Sequence, residues 1–170
     1  PKPGASQNSN TAAQPQSPVF QLQRIYLKDA SLEMPHAPQI FLEPGTPQID
    51  IQLDVSHEKV LDGVYEVLVR VTATARVTDK VLFLVEAKQG GIFEMRGIPN
   101  EQFDAVVGVV CPGIIYPYLR ANVADLQTRT GLPPIHLAEI NFEALYQQKR
   151  AQASQSPSGI IVPPGAQTRQ

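Results

Sequence analysis

The residues most able to do covalent chemistry are one cysteine, Cys111, and three scattered histidines. Cys111 sits in "VVGVVCPGIIYPYLRANVADLQTRTG", residues 106–131, beside Pro112-Gly113 and after a run of valines. A nucleophilic thiol needs a lowered pKa and a base brought beside it, here His57 or His136. A cysteine among valines is more often a small buried hydrophobe. Glu139 and Glu143 straddle a helix start and read as a capping or surface pair, and Asp50 and Asp54 lie on the wet side of a strand. A single cysteine closes no internal disulfide and, with scattered histidines, has no metal-ligand spacing. The sequence holds no Gly-rich phosphate loop, no HExxH pair and no acidic metal cluster. The expectation is a protein without catalytic residues, cofactor or metal.

Composition bounds the rest. A chain of 170 residues, 42% hydrophobic and 18% charged, suits one domain with a real core. A formal charge of −2 gives no general reason to expect nucleic acid or an anionic membrane as partner. The opening "PKPGASQNSNTAAQPQSP" has no apolar signal core, and no run approaches the roughly 18 apolar residues of a membrane span. A soluble protein of a reducing compartment, the cytoplasm, is expected. Residues 1–18 read as a disordered extension, 19–150 as the folded domain, and 151–170 as a flexible tail with an apolar knot, Ile160-Ile161-Val162. The domain carries all 16 acids and 12 of the 14 bases, so it is near −4.

The elements that would position any site come in order, strands first. "FQLQRIYLKDASLE" (20–33) is rich in β-formers, and the proline-rich "MPHAPQIFLEPGTP" (34–47) must be a long crossover loop. "QIDIQLDVS" alternates, with Ile49, Ile51, Leu53 and Val55 on one side. After Asp62-Gly63, "VYEVLVRVTATARV" alternates again, and Thr78-Asp79-Lys80 is a tight turn into "VLFLVEAKQGGIFEM". Asn100 is placed to cap "EQFDAVVGVV", and Cys111-Pro112-Gly113 is expected to end or bend that helix. A second helix would start near Ile114 with Pro117 in its first turn and stop at Gly131. "LPPIHLAEIN" reads as a connector and "FEALYQQKRAQ" as a terminal helix. Strands followed by helices make an α+β layer: a four-stranded antiparallel sheet with C-terminal helices on one face.

Two features stand out. The last strand holds Gly90-Gly91, which marks a bulge or a close approach. It also reads as apolar on both faces, with Val81, Phe83, Val85 and Ala87 on one and Leu82 and Leu84 on the other, and a second subunit is expected to cover one of them. The loops are apolar too: Met34, Ile40, Phe41 and Leu42 in the crossover, and Leu132, Ile135, Leu137 and Ile140 in the connector. Such segments either anchor to the core or line a groove for extended apolar chains.

The segments "FQLQRIYLKDASLE", "VYEVLVRVTATA", "FLVEAKQGGIF", "CPGIIYPYLR" and "LPPIHLAEINFEALY" together resemble the SecB protein-export chaperones across about residues 20–146. The pairing of "QGGIF" with "CPGIIYPY" is the most specific part. The resemblance implies a sheet backed by helices, assembled as a homotetrameric dimer of dimers. It implies an ATP-independent holdase that binds unfolded precursor proteins and delivers them to the translocation ATPase SecA. Asp29, Glu33, Leu84 and Glu86 match SecA-contacting positions, and Val85, Ala87 and Gln89 match positions at the subunit interface. The client groove would be lined by Met34, Ile40, Phe41, Leu42, Leu132, Ile135 and Leu137. Family members often end in an acidic tail, whereas no acid here follows Glu143. A SecB-like chaperone dedicated to another client, such as an antitoxin, is the alternative, with a thiol enzyme on Cys111 behind it.

Overall fold

The structure, a computed structural model, describes residues 17–155. The N-terminal extension and most of the tail, with Ile160–Val162, lie outside the described residues. Four long strands, β1 (Val19–Glu33), β2 (Gln48–Leu61), β3 (Val64–Val77) and β4 (Lys80–Arg96), form one antiparallel sheet in the order β1-β4-β3-β2. A 3-10 turn, Gln39–Leu42, lies in the crossover between β1 and β2. β2 continues past Ser56, where the alternation stops, and pairs His57 with Val67 and Lys59 with Tyr65 before turning through Asp62-Gly63. Gly63 takes φ +69, a left-handed conformation that suits glycine.

Period two sorts β3 cleanly. Val67, Val69, Val71, Ala73, Ala75 and Val77 are all buried on one side. That side receives the helices: α1 (Asn100–Ala105), a π turn (Val106–Val110) and α2 (Cys111–Thr128). The three run on as one helical rod, Asn100–Thr128, so the break expected at Cys111-Pro112-Gly113 does not occur. The Cys111 N–H reaches back five residues to the Val106 carbonyl. This wider turn eases the clash between the Pro112 ring and the carbonyl four residues before it. Asn100 is the first helical residue rather than the cap; Pro99 holds that position, without a side-chain cap. The rod is long and apolar enough to cross a membrane by length and composition, against the sequence expectation. Here it serves as a core helix, with Val107, Cys111, Ile115, Leu119, Val123 and Gln127 buried at every fourth position over β4 and β3.

The connector after Gly131 (φ +77) is tied to the rod by its polar groups. Gln127 donates to the Pro133 carbonyl and accepts from the Ile135 N–H, and the Tyr116 hydroxyl donates to the Ala138 carbonyl. Asn141 Oδ1 caps α3 (Phe142–Gln155) by accepting from the Ala144 N–H at 3.0 Å. The helix runs a few residues into what the sequence marks as tail.

The glycine pair has a different task on each side. A Cβ on Gly91 would stand 2.7 Å from the Phe93 ring and 3.1 Å from Ile115, so Gly91 seats α2 against the sheet. A Cβ on Gly90 would stand 2.7 Å from the Tyr26 ring, which lies across β4 on the outer face. The doubly apolar look of β4 has its own cause. The register shifts between Ala75 and Arg76, and at this bulge Leu82 and Phe83 are both buried. A second subunit is not needed to explain them.

Candidate functional site

Cys111 is fully buried in the stripe under α2, and burial pushes its thiol up to about 12. His57 instead packs edge-on against Phe103, and His136 is exposed on the connector while Cys111 has no exposed surface, so neither is arranged as a base for the thiol. Such a thiol is a poor nucleophile at neutral pH. In the folded protein Cys111 is expected to stay unmodified by an aromatic disulfide reagent and to react fully once denaturant is added; rapid native labelling would mean that the core opens there. Among the described residues no three His, Cys, Asp or Glu side chains come together as metal ligands.

The outer face of the sheet, away from the rod, brings the four expected docking residues together. The register sets Glu33 opposite Leu84, Ser31 opposite Glu86 and Asp29 opposite Lys88. Glu33 and Glu86 thus flank the half-buried Leu84 across two neighbouring strands, and Asp29 lies farther along the same face, opposite Lys88. The Thr72 hydroxyl donates to Glu86 at 3.3 Å. The sequence reading omitted Lys88, whose Nζ lies 3.5 Å from Asp29 and 3.7 Å from Glu86. Its position two residues after Glu86 on a strand already placed both on one face.

Next to this patch lies a polar rivet that sequence reasoning also passed over. Glu66 on β3 is only 4% exposed although it faces outward. Tyr26 donates to one of its oxygens and Lys28 to the other at 2.6 Å, both reaching across β4 over Gly90. Burial raises the Glu66 carboxyl, but these hydrogen bonds outweigh it and hold it below its ordinary range. Burial and the Glu66 carboxylate push the Tyr26 phenol up to about 12. A buried carboxylate with two donors locks β1 to β3 over the central strand.

The expected apolar groove is only partly open. Ile40 and Leu137 are core residues at 2% and 3% exposure, so these two anchor their loops and offer no lining to a client. Met34, Leu132 and Ile135 are half-buried against the same core. Phe41 at 49% and Leu42 at 87% stand open. So do Ile49 and Ile51 at the start of β2: they face the helix side, but the rod lies over β3 and β4 and leaves them uncovered. Their alternation marked them as core, and only the position of β2 at the sheet edge reveals otherwise.

Val85, Ala87 and Gln89 are buried within the single chain beneath α2, with Asn122 donating to Gln89 at 2.6 Å. They cannot touch another subunit directly, because the helix stands between. The exposed large hydrophobic residues of the rod are Val110 and Tyr118, with Ile114 half-buried between them. Any influence of the three strand residues on assembly passes through the seat of α2.

A closed thiol, a flat charged face and exposed apolar loops describe a protein that binds other chains. Residues 13–153 match the family described as "Preprotein translocase subunit SecB". The chain is 56% identical over 149 residues to the protein-export protein SecB of Methylibium petroleiphilum, covering 88% of this chain and 91% of that one. It is 55% identical over 170 residues to that of Bordetella pertussis, covering 95% and 97%. The solved SecB-like chaperone of Mycobacterium tuberculosis, in complex with a peptide from an antitoxin, superposes with a TM-score of 0.60 at 17% identity. That match covers 71% of this chain and 90% of the other, and supports the fold. The chain belongs to the SecB family of protein-export chaperones.

Proposed function

We propose that the protein is an ATP-independent holdase of the cytoplasm that binds unfolded precursor proteins and hands them to SecA for export. The separation of two exposed surfaces on one small sheet carries this proposal. Asp29, Glu33, Leu84 and Glu86 occupy the outer face, while Ile49 and Ile51 open on the helix side. A chain held on one side leaves the other free for a partner. Acids around an apolar residue suit a basic partner and a fast, salt-sensitive encounter. Phe41, Leu42, Ile49 and Ile51, with Met34, Leu132 and Ile135 at the margins, would read apolar content rather than sequence. Each contact with an unfolded chain is weak, because the chain loses entropy on ordering.

Assembly as a dimer of dimers would supply the missing affinity. The outward stripe Val110, Ile114, Tyr118 is an apolar helix face suited to a second copy, and several client surfaces on one particle give avidity.

The test pairs an aggregation assay on an unfolded client with a SecA-binding measurement. The variant Asp29→Lys/Glu86→Lys is expected to weaken SecA binding about tenfold at low salt and to hold clients normally. Phe41→Ser/Leu42→Ser should do the reverse. If the charge variant loses client holding and keeps SecA binding, the two surfaces are assigned the wrong way round.

A further inference from the structure

We propose that Lys88 is a built-in competitor within the acidic patch, an internal cation that the basic group of a docking partner must displace. This rests on the docking role proposed for the outer face. Lys88 sits where a partner's cation would sit, with its ammonium 3.5 Å from Asp29 Oδ2 and 3.7 Å from Glu86 Oε1. Both distances are long for charge-assisted hydrogen bonds, and the side chain is 33% exposed. Loose, half-wet ion pairs of this kind exchange readily and hold little energy.

The surroundings fit a displaceable occupant. On its β3 side Lys88 is opposed by Arg70, so like-charge repulsion leans it toward β1 and Asp29. The Thr72 hydroxyl keeps hold of Glu86 from the opposite direction, which leaves that carboxylate in place when Lys88 departs. Lys28 adjoins Asp29 in sequence but is committed to the buried Glu66 at 2.6 Å. Among the described residues, Lys88 is the cation recorded on Asp29 and Glu86. An arginine of the partner, with its planar fork, makes a tighter carboxylate contact than the lysine it replaces. A neighbouring apolar side chain would then cover Leu84. Lys88 therefore excludes weakly basic surfaces and sets the salt concentration at which a genuine partner lets go.

The experiment measures SecA binding to the full chain at two salt concentrations for the native protein, Lys88→Gln, Lys88→Arg and the control Glu86→Lys. Lys88→Gln is expected to bind about two- to fivefold tighter at low salt, with a steeper loss as salt rises. Lys88→Arg, a tighter internal occupant of the same acids, should bind more weakly than native. Unchanged or weaker binding by Lys88→Gln, with Glu86→Lys still impaired, overturns the competitor role and leaves the docking face standing. If Glu86→Lys also binds normally, the docking face itself is wrong and the proposal falls with it.

Discussion

Ala87→Glu should be the most damaging single change in the sheet, lowering stability by about 3–5 kcal/mol. Ala87 is fully buried, with Val71 beside it on β3, Ala30 on β1 and α2 overhead. A carboxylate there has no cationic partner and no room, so α2 must lift or the group must take up a proton. Because the outward stripe of the rod depends on that seat, assembly should weaken together with stability. A thermal melt and light scattering would check this, with a drop of about 10 °C or more in Tm expected for a domain of this size. Glu86→Ala, one residue away but on the outer face, is the contrasting control and should melt almost normally. A variant at Ala87 that melted like the native protein yet came apart would mean that this residue touches another subunit directly.

The second large effect concerns acid. The Glu66 carboxyl is held below its ordinary value of 4.5 by Lys28 and Tyr26, in spite of its burial. A depressed folded-state pKa adds stability above the unfolded pKa, and that stability fades as pH drops through the folded value. Native protein should therefore lose melting temperature as pH falls below about 4.5, and part of that loss should be absent from Glu66→Gln. At neutral pH the variant should be less stable by about 1.5–3 kcal/mol, since a charged acceptor for Lys28 is gone. Asp62 and Glu94 also have lowered values but are common to both proteins, so the difference between the two reports Glu66 together with its hydrogen bond to Glu58. A difference that stays constant from pH 7 to pH 3 would remove Glu66 as the cause.

Much of the fold was legible because its signals are local. The alternation of β3, the Thr78-Asp79 turn, Gly131 and the start of α3 are each written in a few adjacent residues. The outer patch was expected from the resemblance: period two alone puts Leu84 and Glu86 on one face, but Glu33 joins them through the pairing of β1 with the sequence-distant β4. What escaped depends on neighbours distant in sequence. Ile40 and Leu137 look like exposed loop hydrophobes until the core is seen to absorb them, while Ile49 and Ile51 look like core until the rod is seen to miss them. The helix break predicted at Pro112 was avoided by widening one turn, an adjustment that proline content alone does not disclose. Glu66 carries no local sign of its burial because its donors come from β1, two strands away across the sheet. Val85, Ala87 and Gln89 match subunit-contact positions by resemblance, and the fold buries all three beneath α2.

The two glycines of "QGGIF" set a thickness. On a pleated strand, neighbouring residues serve opposite sides, so one dipeptide fixes the gauge of the protein both above and below β4. Gly91 lets the helical layer settle to the shortest distance that Phe93 and Ile115 allow, while Gly90 lets a tyrosine lie down and keeps the opposite surface level. The proposed stacking of copies through the helices and the proposed docking panel would need both dimensions held to within the size of a methyl group. Here both tolerances are written into the same two positions, and a deletion of one glycine would hand each residue beyond it to the wrong side.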